Sequence, residues 1–341
     1  MPEDELALLN PEYAALLETL PPPEPLPENL ADVRKEQDDA WLRIVKSINE
    51  PLLPPESSYR VQDFRVPVEQ GDITVRCLTP TPPGTTPQEN YPLLYWIHGG
   101  GWASGSVEID DLFLRIICVE LRMSIANVGY RLCPEHKFPV PVNDAYAGLK
   151  WAAQNAHQLS ASLHKGFIVA GFSAGGNLAA VLAHRARDDP FFEGRRLTGQ
   201  LLQVPEVVHP DAYPTQYRDQ LRSYRTVGDP RVFYGEEMDL HYAQYGAQPF
   251  NPECSPLLLP SHMGLAPAYI QVCGADPVRD EGILYAQVLQ DAGVTTKLEI
   301  YPGDGHGFHF DLPHSKAGLR FVQDFKDGLK WLLALPSGSA G

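Results

Sequence analysis

The sequence predicts an α/β fold: a mostly parallel, eight-stranded sheet with helices on both faces and a helical cap. Three observations predict it. From residue 93 onward, short apolar runs alternate with helical patterns, as they do where helices join parallel strands. A hairpin pattern precedes that series. One long stretch, 208–261, then interrupts the alternation without a strand pattern of its own. With 341 residues, 43% of them apolar, the chain has the material for one large domain around a shared core.

Taken in order, residues 5–20 carry Leu6, Leu8, Leu9, Tyr13, Leu16 and Leu17 at roughly helical spacing. The connector Pro21-Pro22-Pro23-Glu24-Pro25-Leu26-Pro27 is stiff and extended. A second helix is expected from Asn29 to Ile48, closed by Pro51, Pro54 and Pro55. Residues 1–55 are therefore expected to form a helical arm, part of the cap. Residues 56–335 are expected to form the main domain. It opens with strands at 61–68 and 73–78, paired across the turn Gln70-Gly71-Asp72. Further strands are expected at 93–97, 125–130, 167–170, 197–204, 269–273 and 298–301. Helices are expected at 107–122, 142–155, after residue 170, and over 315–335. The interruption at about 208–261 is too long for an ordinary connection. It is expected to fold as a helical cap insertion over the carboxyl edge of the sheet. The tail 336–341, PSGSAG, is expected to be disordered.

Composition narrows the function. Lys and Arg number 27 against 43 Asp and Glu, a net charge of −16, which argues against a nucleic-acid partner. No run approaches the ~20 apolar residues of a membrane span. The start, MPEDELALLN, lacks the basic and apolar parts of a secretory signal. Cys77, Cys118, Cys133, Cys254 and Cys273 are scattered, without a CxxC pair. They read as reduced thiols of a cytoplasmic protein, with no disulfide framework and no metal site. The expected assembly is a monomer or homodimer.

The chemistry is read at the strand ends. Gly171-Phe172-Ser173-Ala174-Gly175 joins the apolar run 167–170 to the helix-forming run 178–184, with a serine at the turn. Glycines permit the sharp turn, and the helix start offers free N–H groups and a positive dipole end. That is the setting of an activated serine nucleophile. His98-Gly99-Gly100-Gly101-Trp102 follows the strand at 93–97. Its unshielded backbone can aim N–H groups at an oxyanion, and losing one such donor costs roughly 3–4 kcal/mol of barrier. The lysine of a phosphate loop is missing. A serine nucleophile needs a base, and the base an orienting acid. His306, between two glycines after the last strand, is the candidate base; His309, between Phe308 and Phe310, resembles a strand or core-edge residue. Asp276 ends the strand at 269–273, whereas Asp280 and Glu281 fall in the next helix's first turn and favour its dipole. Asp304 is too close to His306 in sequence to hold its ring, and reads as a turn residue. Ser173, Asp276 and His306 each follow a different strand's carboxyl end, where open α/β sheets bind ligands. Such a triad needs no metal or organic cofactor. Trp102 and Phe172, beside it in sequence, point to an apolar pocket for a small-molecule substrate.

Together these motifs resemble the α/β-hydrolase fold. More narrowly, the chain resembles the hormone-sensitive-lipase-like carboxylesterases, the HGGG or type IV group. The resemblance spans about residues 91–310. It rests on His98-Gly99-Gly100-Gly101-Trp102, the block from Tyr130 to His136 with Phe138-Pro139, Asp144 to Tyr146 and Trp151. It continues through Ser173 to Ala180, Ser255-Pro256-Leu257, Asp276-Pro277, Arg279 to Gly282, and His306-Gly307-Phe308. By resemblance, Ser173, Asp276 and His306 are catalytic. Gly100, Gly101 and Ala174 supply the oxyanion-hole N–H groups, and Gly99 shapes that loop. The arm and the insertion form the cap. The resemblance implies a serine ester hydrolase working through an acyl-enzyme on small to medium apolar esters, acetylated metabolites among them. The alternatives on this fold are non-hydrolytic: a lyase or dehydratase, or a gibberellin-receptor-like small-molecule binder. Two positions depart from the pattern: Phe172 stands where Asp is usual, and Cys133 where Ala is usual. His98 is expected to brace its loop.

Overall fold

The computed structural model describes residues 3–23, 25–84, 89–229 and 231–336, so all of the expected disordered tail except Pro336 lies outside the described residues. One sheet holds β1 (Tyr59–Val68), β2 (Gly71–Pro80), β3 (Leu93–Ile97), β4 (Ser124–Gly129), β5 (Phe167–Phe172), β6 (Gly199–Gln203), β7 (Ala268–Ala275) and β8 (Thr296–Gly305). Their spatial order is β1-β2-β4-β3-β5-β6-β7-β8. β1 and β2 pair antiparallel, as do β2 and β4; every later pairing is parallel. The central strands are those whose sequence is a continuous apolar run. Every residue of β3 and of β5 is buried, because helices cover both faces. Strand order reverses at β3, which lies between β4 and β5. The chain leaving β3 and the chain leaving β5 therefore diverge at a topological switch point, where such sheets hold ligands.

The helices are α1 (Glu3–Leu6), α2 (Pro11–Thr19), α3 (Leu30–Asn49), α4 (Asp111–Glu120), α5 (Val140–Gln154), α6 (Ala174–Asp188), α7 (Ser223–Thr226), α8 (Gly235–Tyr245), α9 (Arg279–Asp291), α10 (Phe308–Asp311) and α11 (Lys316–Ala334). α11 buries Phe321, Phe325, Leu329 and Leu332 at helical spacing, and Phe325 meets Trp96 of β3 edge-on at 5.7 Å.

The structure corrects the expected elements in three places. Residues 5–20 are not one helix. α1 ends at Leu6, and a new helix opens at Pro11, where a missing N–H costs nothing, capped by Asn10, which accepts from the Glu12 N–H at 3.0 Å. The insertion at 208–261 is mostly turns around α7 and α8, because Pro210, Pro214, Pro249, Pro252, Pro256 and Pro260 break any longer helix. β8 runs on to Gly305, so His306 follows the strand directly.

The arm is tied down by charge. Arg34 of α3 donates to the carbonyls of Ala103 and Cys133 and grips Glu135 with two bonds, at 2.9 and 2.7 Å. Asp38 accepts from the Gly105 N–H at 2.8 Å. Both residues thus clamp α3 across the loop that follows β3.

Candidate active site

The turn after β5 is tight because two glycines leave no room for anything larger. A Cβ on Gly171 would lie 2.2 Å from the Gly175 carbonyl oxygen, and one on Gly175 would lie 2.1 Å from that of Ile97. Between them Ser173 takes φ 54° and ψ −122°, a strained conformation that lifts its side chain off the strand end at the head of α6. Its hydroxyl lies 2.9 Å from Nε2 of His306, at the end of β8. The Nδ1–H of that ring donates to Asp276 Oδ2 at 2.8 Å, just past β7. Asp276 Oδ1 in turn accepts from the Val278 N–H at 3.0 Å, which fixes which oxygen faces the imidazole. The structure thus brings Ser173, His306 and Asp276 into one chain of hydrogen bonds. His306 is pulled two ways: burial disfavours its charged form, but the Asp276 carboxylate outweighs that and raises its pKa above the ordinary 6.5.

The rival groups are occupied elsewhere. Asp280 accepts from the N–H groups of Arg222 and Ser223, and Glu281 from those of Val207 and Val208, so both anchor the insertion. His309 stacks on Phe321 at 4.3 Å, and burial holds it neutral by lowering its pKa to about 3. His98 is fully buried, stacked on Tyr130 at 4.4 Å and bonded through Nδ1 to the Gly99 carbonyl at 2.8 Å. It braces the glycine loop, as expected.

Gly100 and Gly101 line a cavity of about 420 Å³ that also holds Ser173, Glu206 and His306. Ala174 heads α6 with a free first-turn N–H. Gly99 sits behind them, its α-carbon against Phe172: a Cβ there would meet that ring at 2.7 Å. Phe172 lines the cavity. Trp102, expected in the substrate pocket, is not among its walls. A backbone φ of 58° turns it away, and it stacks on Tyr245 of α8 at 4.4 Å. The cavity's outer wall comes from both segments that interrupt the α/β pattern: Trp41 and Ile44 of α3, and Phe233, Met238 and His241 of the insertion. His241 Nδ1 lies 3.2 Å from the Gly101 carbonyl, linking α8 to the glycine loop.

One residue beside Ser173 has no counterpart in the sequence reading. Glu206 Oε1 lies 3.0 Å from the Ser173 hydroxyl, which therefore has two acceptors for one proton. Glu206 is buried and its Oε2 has no partner among the described residues. Asn177 fixes it by donating to its carbonyl at 2.7 Å and to that of Cys254 at 3.0 Å. Val204, two residues before it, has φ 41°, rare for a β-branched residue, where the chain bends from β6 toward the serine. Burial raises the Glu206 pKa to about 7, against the opposing pull of a charged His306 and the serine's hydrogen bond. A lone carboxyl in the apolar run Val204-Pro205-Glu206-Val207-Val208 is the signal that could have singled it out. An ionised Glu206 also favours a protonated His306. Glu206→Gln should therefore lower the His306 pKa, moving the acid limb of kcat/KM down by about one pH unit at most. A pH profile of both proteins checks this; coincident limbs would disprove it.

Residues 94–310 match the family described as alpha/beta hydrolase fold. Among curated relatives, the AB hydrolase superfamily protein B1A11.02 of Schizosaccharomyces pombe is 36% identical, over 85% of this chain and 84% of its own. The carboxylic ester hydrolase LipN of Mycobacterium tuberculosis is 35% identical, over 77% of this chain and 68% of its own. Among solved structures, vibralactone cyclase is 40% identical with a TM-score of 0.92, over 97% of this chain and 96% of that one.

Proposed function

The chain belongs to the α/β-hydrolase fold family and is a serine carboxylic-ester hydrolase, and we propose that Ser173, His306 and Asp276 are its catalytic triad. One observation carries this reading: the imidazole of His306 stands between the serine hydroxyl and the Asp276 carboxylate at 2.9 and 2.8 Å. Ser173 attacks the ester carbonyl as His306 takes its proton. Asp276 holds the Nδ1–H tautomer and steadies the imidazolium. The N–H groups of Gly100, Gly101 and Ala174 receive the oxyanion, with Gly99 keeping the loop close to the elbow. The alcohol leaves with the proton from His306. Water then enters, loses its proton to the same nitrogen, and releases the acid.

The proposed substrates are small to medium apolar esters, acetylated metabolites among them. The cavity supports this with aromatic walls at Trp41, Phe172 and Phe233 around a volume of about 420 Å³, within the range of small-molecule sites. The arm (1–55) and the insertion (about 208–261) serve as the cap in this reading, since both wall the cavity. No helix among the described residues is long and apolar enough to cross a membrane. Five buried, unpaired cysteines support a reducing, cytoplasmic setting. We take the working unit to be a monomer or homodimer. The likeness to vibralactone cyclase favours a second reading, in which an acyl-enzyme bearing its own internal nucleophile closes a ring in place of hydrolysis.

The wild-type protein is expected to release p-nitrophenol from the acetate and butyrate esters. Its rate should fall on the acid side of a midpoint above pH 6.5, because the raised pKa keeps His306 protonated, and so unable to accept, to a higher pH than an ordinary histidine. A rate independent of pH through that range would remove His306 as the base.

A further inference from the structure

A second cavity, about 390 Å³, lies on the other side of Phe172 from the nucleophile. Its walls are Trp96 of β3, Ile109, Phe113 and Ile116 at α4, and Phe321 and Phe325 of α11. Protein interiors are packed as densely as organic crystals, so a void of this size is unlike ordinary core and falls within the range of ligand sites. Its wall also carries an ion pair, Lys326 with Glu120 at 2.5 Å, and hydrogen-bonded amides at Asn49, Gln203 and Gln323; Asp110 accepts from the Trp96 Nε1–H at 2.8 Å, and burial keeps His309 uncharged. Two large apolar side chains lie exposed at its rim, Leu52 at 63% and Leu319 at 58%. They form apolar lips between the end of α3 and the start of α11.

Among the described residues, only two line both this cavity and the one holding Ser173, and they are Phe172 and Phe310. Their rings meet edge to face with centroids 5.6 Å apart. This pair of aromatic rings thus stands between the two spaces, flanked by α3 and α10, whose neighbouring residues face one cavity and then the other (Ile44 and Val45, Asp311 and His309). Phe310 rides on α10, a helix of four residues entered through Gly307 at φ 70°. Joining the two cavities requires a displacement of that short helix or a turn of the Phe172 ring.

We propose that this second cavity takes the hydrocarbon chain of an ester held at Ser173. The chain passes between Phe172 and Phe310, and its far end points toward the Leu52–Leu319 mouth. The proposal rests on the hydrolase reading and deepens it. The preferred ester carries an aliphatic chain, with the polar ester group retained in the first cavity beside the glycine loop. The position of Phe172 then has a functional meaning: a phenyl ring beside the nucleophile is an apolar doorway, where a carboxylate would repel a hydrocarbon chain.

Two variants test it in opposite directions. Ile116→Trp fills the second cavity from the α4 wall, and Phe172→Ala widens the partition. The quantity read is the ratio of kcat/KM for p-nitrophenyl decanoate to that for p-nitrophenyl acetate. A matching pair, decyl acetate against ethyl acetate, places the chain on the alcohol side if that ratio responds and on the acyl side if the first does. The responding ratio should fall about tenfold in Ile116→Trp, a loss expected when a few methylenes lose their pocket, and should rise in Phe172→Ala. If Ile116→Trp does not fold, Val322→Trp fills the same space from α11. Ratios that stay at the wild-type value in the folded variants, or that move the same way in both, would overturn the proposal. Wild-type turnover of the acetate reports separately on the hydrolase reading.

Discussion

Ser173→Ala is expected to lower kcat for p-nitrophenyl acetate by about 10⁶-fold, the scale of loss when a triad nucleophile is removed. The argument is geometric. Ser173 is the hydroxyl within reach of His306 Nε2 in the cavity, and no other serine or threonine lies within hydrogen-bonding distance of that nitrogen among the described residues. Alanine suffers the same backbone strain at φ 54°, so the elbow should keep its shape. What the variant loses besides chemistry is the hydroxyl that both Glu206 and His306 face, and so the one hydrogen bond its proton makes to either. Leaving those buried partners unmatched costs about 1–3 kcal/mol of stability. A melting curve should show that modest decrease, and the ester should still bind, measurable by calorimetry. The same variant separates the readings of function. A lyase using His306 as its base, or a small-molecule binder, would keep its activity without the serine; a hydrolase or a ring-closing acyl transferase would not.

The site residues that were legible in the sequence are those whose chemistry is announced locally. Ser173 and the glycine loop sit in motifs a few residues long, and the demand for glycine at 171 and 175 is visible in the contacts of less than 2.3 Å that a Cβ would make. Asp276 and His306 were legible because strand ends can be read from apolar runs, and the sheet brings such ends together. Glu206 was not legible as a neighbour of the nucleophile. Its approach depends on the bend at Val204 and on Asn177 holding its carbonyl, neither of which leaves a pattern in the sequence. Trp102 misled for the opposite reason. Being next to the glycine loop in sequence says nothing of direction, and a left-handed backbone conformation sent the indole to Tyr245, far along the chain in α8. The parallel pairing of the sheet followed from the alternation of strand and helix. The insertion resisted because its conformation is set by prolines and by contacts to distant carboxylates such as Glu281, not by periodicity.

Asp276→Asn should lower kcat by about 10⁴-fold while leaving the fold in place. The reason lies in the second bond that Asp276 makes. Its Oδ1 accepts from the Val278 N–H at 3.0 Å, leaving Oδ2 to face His306. An asparagine that keeps its oxygen toward Val278 must turn its NH₂ toward the ring. Nδ1 would then accept a hydrogen bond and lose its proton, Nε2 would carry the proton instead, and that nitrogen could no longer take one from Ser173. An asparagine flipped the other way preserves the tautomer but sets two donors against each other at Val278. Either arrangement also removes the negative charge that raises the His306 pKa, so the residual activity should have its acid limb at lower pH than the wild type. Asp280→Asn provides the contrast. Asp280 binds Arg279 and the backbone of the insertion, so its loss should appear as a lower melting temperature with the pH profile unmoved. A displaced acid limb in Asp280→Asn, or an undisplaced one in Asp276→Asn, would transfer the role of orienting acid away from Asp276.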